Sequence, residues 1–230
     1  MRILYIIPAR KGSKGLPGKN IKILGGKSLI EYSIHFALEN IKDGDELCIS
    51  TNDLAVLEIA KSNGVYIPFI RPEELSDDSA SSHDVIMHAI NYYDSIGKQF
   101  DTILLLQPTS PFRNQLDFIS LIDEFDDDTD MVVSVKLVKD SPYFNLFEES
   151  SEGFLQKSKD SNFVRRQDCP LVYAFNGSMY LINTNSIRNF RLNEFKKIKK
   201  IIMPEERSLD IDTLADWALA KFYLKNYENS

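Results

Sequence analysis

Residues 1–20 read MRILYIIPARKGSKGLPGKN. Residues 2–7 are an almost continuous apolar run behind one Arg, the pattern of a strand buried on both faces. The stretch that follows, residues 7–20, sets Gly12, Gly15 and Gly18 among Arg10, Lys11, Lys14 and Lys19. Glycines let backbone N–H groups approach an anion closely, and the cations oppose its charge. A loop at the C-terminal end of a first strand lies where open α/β sheets bind ligands. It reads as a polyphosphate cradle, with a solvated basic loop as the alternative. Two better-known phosphate loops fail on spacing. A Walker A loop ending at Gly26-Lys27-Ser28 needs glycine where the chain has Ile21, and no Gly-x-Gly-x-x-Gly occurs.

Downstream, helix and strand patterns alternate. Helices are expected at 28–40 with Ser28 as N-cap, at 53–63 stopped by Gly64, and at 81–93, 115–125 and 213–227. Strands are expected at 46–50, 102–106, 131–135, 178–183 and 199–203, with a short β-like piece at 65–69. Continuous apolar strands between helices predict a mostly parallel sheet covered on both faces. The alternation breaks at 136–172, where aromatic and β-like pieces are separated by polar turns; 144–148 and 153–157 are spaced to pair as a hairpin. The expected organisation is one α/β domain made of 1–135 and 173–230, with 136–172 as an inserted arm.

Composition narrows the partners. Against 27 Lys and Arg stand 34 Asp and Glu, a formal charge of −7, which argues against a nucleic-acid binder. No run approaches the ~20 apolar residues of a membrane span. Cys48 and Cys169 form no metal or disulfide spacing, and the start lacks the shape of a signal peptide, so a cytoplasmic protein is expected. Asp126, Asp128 and Asp130 begin an EF-hand spacing that Met131 and Leu137 break. His83 and His88 are five apart rather than the four of a helical zinc pair.

Six stretches together resemble the acylneuraminate cytidylyltransferases, the CMP-sialic acid synthetase family. They are residues 7–20, Ser50-Thr51-Asn52-Asp53, residues 71–82 (RPEELSDDSASS), residues 105–113 (LLQPTSPFR), residues 176–180 (NGSMY) and residues 209–213 (LDIDT). The resemblance implies a Rossmann-like three-layer sandwich and a homodimer whose arms complete each other's active sites. It also implies a Mg2+-dependent transfer of CMP from CTP to the anomeric hydroxyl of an acidic nine-carbon sugar. By the same resemblance, Arg10, Ser13, Lys14, Lys19 and Asn20 cradle the triphosphate and cytosine, and Arg71 and Ser82 contact the cytidine. Gln107, Thr109, Ser110 and Arg113, just past a strand end, carry groups suited to a polyhydroxylated acid. Arg165, Arg166, Gln167 and Asn176 are further candidates for the sugar. Asp210 and Asp212 flank Ile211, so an extended segment points both carboxylates to one face. They are the expected Mg2+ ligands, with Arg10 and Lys19 as catalytic cations. Asp212 also stands where an N-cap for the last helix would be. Sialic acid members carry a basic residue after His-Pro in the arm. The corresponding Ser141-Pro142-Tyr143-Phe144-Asn145 has none, and resembles members acting on other nonulosonates such as legionaminate. KDN remains open as an acceptor. A KDO or sugar-phosphate acceptor, or a non-catalytic nucleotide-sugar binder, are the alternatives.

Overall fold

The computed structural model describes residues 1–12, 15–77 and 80–227. The first strand, β1 (Ile3–Pro8), sits inside a six-stranded sheet because its side chains on both faces are apolar and fully covered. Beyond the glycine-rich segment come a two-stranded ribbon, β2 (Ile23–Leu24) and β3 (Lys27–Ser28), and helix α1 (Leu29–Asn40). Ser28 begins that helix as expected: its N–H and hydroxyl both donate to the Glu31 carboxylate, 2.6 Å each. Then follow β4 (Glu46–Ser50), α2 (Leu54–Ser62), α3 (Ser82–Ser95), β5 (Thr102–Leu106), α4 (Gln115–Asp123) and β6 (Met131–Leu137). The arm carries β7 (Phe147–Glu149) and β8 (Leu155–Lys157), and the chain returns through β9 (Tyr173–Asn183), α5 (Thr184–Asn189), β10 (Ile198–Ile202) and α6 (Leu214–Tyr227).

The sheet order is β10-β6-β9-β5-β1-β4. All neighbours are parallel except β9, which runs antiparallel between β5 and β6. The chain therefore goes to one side of β1 for β4 and to the other for β5, which leaves a switch-point crevice at the C-terminal ends of β1 and β5. Period-two burial divides the core. Tyr5, Ile7, Leu104 and Val132 face α1, α2 and α4, while Leu4, Ile6, Ile103 and Val133 face α3 and α5.

Three expectations change. Residues 65–69 form no strand; the segment runs extended to Arg71, whose N–H donates to the Thr51 carbonyl at 2.8 Å. The predicted hairpin exists, but shorter, with Phe147 opposite Lys157. Strand β9 starts five residues earlier than 178 and shifts register between Val133 and Val135 of its partner. At that bulge Gly177 takes φ +75°, a left-handed turn natural to glycine. The bulge also brings Phe175 and Tyr180 to the same face, ring centroids 6.0 Å apart, although they are an odd number of residues apart.

A third, smaller core ties the last helix to the first loop. Leu16, Leu24, Leu29, Ile211, Trp217 and Ala220 are buried together. Gly25 of the ribbon turn, at φ +56°, lies so close to α6 that a Cβ there would sit 2.1 Å from Leu224 Cδ2. Gly25→Ala is therefore expected to lower stability by about 1–3 kcal/mol through crowding and backbone strain. A urea unfolding curve reads this as a shifted midpoint at unchanged slope.

Candidate active site

A cavity of about 360 Å³ occupies the switch-point crevice. Its floor is strand ends, Pro8 of β1 and Leu105 of β5. Its walls are Arg10, Gly15, Lys19 and Asn20 from the first loop, Arg71, Ala80 and Ser82 ahead of and at the start of α3, and Gln107, Thr109 and Asp212. Residues from four separated stretches thus converge as the alternation of elements predicts. Ser13 and Lys14 lie outside the described residues.

The first loop is shaped by its backbone. Gly18 takes φ +65° and starts a short 3-10 turn at Lys19–Ile21. Gly15 leaves room for no side chain: a Cβ would lie 2.4 Å from the Asp212 carbonyl oxygen. Lys19 Nζ then reaches Asp212 Oδ1 at 2.5 Å. Asn20 is buried and donates to the Arg10 carbonyl at 3.2 Å, and Arg10 donates to the Ser76 carbonyl at 3.4 Å. The loop is held from both sides.

Arg71 is buried in the cavity wall, its guanidinium held by the Ser50 hydroxyl (3.0 Å) and the Ser50 carbonyl. Burial, with the charge of Arg10 acting the same way, pulls it down to about 10, so it stays a cation at neutral pH. Sequence reasoning named Arg71 but missed Ser50 as the group that aims it.

Asp210 and Asp212 do share a face. Ile211 between them is fully buried and its N–H donates to the Thr109 carbonyl at 2.8 Å. Asp212 lines the cavity, whereas Asp210 stands beside it against the bulge, where a Cβ on Gly177 would come 3.3 Å from Asp210 Oδ2. Asp210 keeps solvent access, yet its carboxyl is pushed up. Desolvation is the main cause and the charges of Asp212 and Asp216 add to it, against a Thr109 hydrogen bond and Lys19. Asp212 is not the helix cap. Thr213 and Asp216 form that cap: the Thr213 N–H donates to Asp216 at 2.7 Å and the Asp216 N–H to the Thr213 hydroxyl at 3.2 Å. The T-x-x-D spacing at 213–216 was the overlooked signal.

The sugar candidates divide. Gln107 and Thr109 line the cavity. Ser110 is buried and donates to the Asn176 carbonyl at 3.2 Å. Arg113 and Asn176 are both buried, with polar atoms engaged by protein. Arg113 donates to Ser33, Ser178 and the Gln107 carbonyl. Asn176 accepts from Ser134 (2.7 Å) and donates to Ser208 (3.0 Å). Arg165, Arg166 and Gln167 are exposed on the arm, away from this cavity. Arg165 pairs with Asp168 at 2.8 Å, and the other two line a separate hollow at the foot of the arm.

Among the described residues no cluster of three or more His, Cys, Asp or Glu forms a metal cage. Two carboxylates beside a glycine- and cation-bearing loop nevertheless fit Mg2+, which takes few protein ligands and completes its shell with other oxygen donors and water. The Asp210 carboxyl is raised chiefly by desolvation, and the charge of Asp212 adds to it.

The same fold occurs in solved structures. One, of CMP:2-keto-3-deoxy-manno-octonic acid synthetase complexed with CTP, superposes with a TM-score of 0.69 at 17% identity over 100% of both chains. Another, of 4-diphosphocytidyl-2C-methyl-D-erythritol synthase from Anaerococcus prevotii, gives 0.66 at 15% identity over 97% of this chain and 98% of that one. The class that these likenesses define is therefore that of Rossmann-like α/β proteins. The family model described as cytidylyltransferase matches residues 4–228, and the chain belongs to that family. It is 31% identical to CMP-N,N'-diacetyllegionaminic acid synthase of Legionella pneumophila over 96% of this chain and 95% of that protein. It is also 31% identical to pseudaminic acid cytidylyltransferase of Campylobacter jejuni over 100% of both. To the N-acylneuraminate cytidylyltransferase of Streptococcus agalactiae it is 31% identical, over 94% of this chain and 52% of that one.

The Asp210 environment makes a prediction about stability. A carboxyl whose folded pKa is raised binds its proton more tightly in the folded state, so stability falls as pH rises from the ordinary carboxylate range through the folded value. In metal-free buffer at pH 7, Asp210→Asn should therefore melt at a higher temperature than the parent protein. The gap should close as pH is lowered below the ordinary carboxylate range. A lower melting temperature at pH 7 would count against this account of the site.

Proposed function

We propose that the protein transfers the cytidylyl group of CTP to the anomeric hydroxyl of a free acidic nine-carbon nonulosonate and releases pyrophosphate. The observation that carries this is the meeting of the glycine- and cation-bearing loop with the Asp210–Asp212 segment. Gly15 abuts the Asp212 backbone and Lys19 pairs with Asp212. A triphosphate lying along Arg10, Lys19 and the loop amides brings its α-phosphorus to the carboxylate pair. The sugar oxygen forms the new bond to the α-phosphorus as the bond from that phosphorus to the oxygen bridging the β-phosphate breaks; pyrophosphate departs and the hydroxyl proton passes to solvent. In such transfers the protein's work is positioning and charge stabilisation. Lys19 and Arg10 offset the charge of the departing pyrophosphate, Arg71 and Ser82 hold the cytidine, and Gln107 and Thr109 face the acceptor. Mg2+ held by Asp210 and Asp212 would supply further charge stabilisation at the phosphates. The relatives named for legionaminic, pseudaminic and N-acylneuraminic acids support this acceptor class.

The arm suits assembly. Ile202 (57% exposed), Val135 and Phe175 (53%) lie in one cross-strand row, with Leu137 (52%) beside them. Val135 within the row is buried while its apolar neighbours stay exposed, and Phe147, Phe154 and Leu155 are exposed on the arm. An apolar surface of this kind calls for a partner, and a two-fold copy is the simplest one. The arm's Arg165, Arg166 and Gln167 would then serve the neighbouring site. Two free cysteines, one of them buried, and the absence among the described residues of a helix able to cross a membrane agree with a cytoplasmic setting.

Pyrophosphate release tests the reaction. CTP with Mg2+ and a panel of free N-acetylneuraminate, N,N'-diacetyllegionaminate and pseudaminate should give turnover with at least one acceptor, and far less with UTP, ATP or GTP. Equal use of UTP sinks the cytidine assignment. Asp210→Asn should reduce turnover by about 10²–10³-fold, the usual scale for losing a charge-stabilising partner at a transferring phosphate. Asp212→Asn should also fall, since its carboxylate meets Lys19 rather than a helix end. Light scattering should give twice the chain mass of 26.3 kDa; an active monomer contradicts the shared-site reading.

A further inference from the structure

Arg113 is 6% exposed, and among the described residues its guanidinium forms no ion pair with a carboxylate. Nη1 donates to Ser33 Oγ at 2.8 Å, Nε to Ser178 Oγ at 3.2 Å and Nη2 to the Gln107 carbonyl at 2.5 Å. The Phe36 ring lies 5.6 Å from its carbon centre. The acid whose charge acts on it, Asp117, has both oxygens taken by Arg207 at 2.9 Å. Burying a cation among neutral acceptors is costly, and an apolar side chain would fill the same space more stably. What an apolar side chain, or a lysine, lacks is a planar fork of donors in fixed directions. The three acceptors sit on three different elements: α1, the loop after β5, and β9 directly after the bulge.

Two of those anchors lead to the reacting groups. Gln107 lines the cavity where the acceptor would lie. Ser178 follows Gly177, whose backbone abuts Asp210. We propose that Arg113 is a positioning residue, which touches no substrate and sets the spacing between the Gln107–Thr109 wall and the Asp210 wall. Ser110, donating to the Asn176 carbonyl, braces the same two walls in parallel. The kinetic side of this proposal rests on the cytidylyl-transfer reading; the structural side does not.

Arg113→Lys keeps the charge and most of the volume but cannot reach three acceptors, and Ser178→Ala removes one anchor. Each would be followed by amide hydrogen exchange, by CTP binding read from the fluorescence of the single Trp217, and by pyrophosphate release against acceptor concentration. Arg113→Lys should speed exchange in 107–113 and 176–178 and leave 46–56 as it was. It should keep CTP affinity within about threefold and lower kcat by about 10–100-fold, the scale of a sub-ångström to ångström misplacement. Ser178→Ala should move the same quantities less. Unchanged exchange in both segments overturns the proposal. So does a rise in acceptor KM alone with exchange unchanged, since that marks direct sugar contact. If the parent protein releases no pyrophosphate with any acceptor, the transfer reading fails while the exchange comparison still decides the role of Arg113.

Discussion

The backbone of Gly15 rests on the carbonyl of Asp212, closer than any side chain would permit. The crevice depends on this contact because it joins the glycine- and cation-bearing loop to the segment that carries Asp210 and Asp212. Three neighbours enforce it. Leu16 and Ile211 bury their side chains together under Trp217, the Ile211 N–H is fixed on Thr109, and Lys19 bridges to Asp212. Apolar burial supplies the cohesion here, and the ion pair, half of it exposed, adds mainly direction.

Charge is arranged with the same economy. The chain is acidic overall, yet Arg10, Lys19 and Arg71 line one crevice. Arg71 is desolvated and aimed by Ser50, so its field acts where water is scarce. Asp210, pressed against the Gly177 bulge, has its carboxyl pushed up chiefly by desolvation, with the Lys19 charge acting against the shift.

Much of this was legible in the sequence. Apolar runs such as 102–106 and 46–50 have one reading, and both strands match it residue for residue. The Ile211 alternation placed both carboxylates because period two is a local property. Other features were not local. The antiparallel placement of β9 between β5 and β6 depends on pairing across the sheet, which a strand's own composition does not encode. Arg113 and Asn176 carry polar groups that suit a ligand as well as they suit buried serines, and only the positions of Ser33, Ser134, Ser178 and Ser208 tell the two apart. Residues 65–69 have β-forming side chains, but Pro68 among them has no N–H to donate, and they form no ladder. The cap at Thr213 was local and readable; Asp212 drew attention away from it.

Lys19 and Asp212 lie 193 positions apart. Closing so long a loop carries a large entropic cost before any contact offsets it. The central strands pair over shorter separations and can assemble without that closure. A chain arrested one step short of the end would show native helix and strand content and yet have neither cradle nor carboxylates in register. For this protein, far-ultraviolet spectroscopy measures the scaffold, and only the environment of Trp217, buried where the two distant segments meet, tells whether the final clasp has closed.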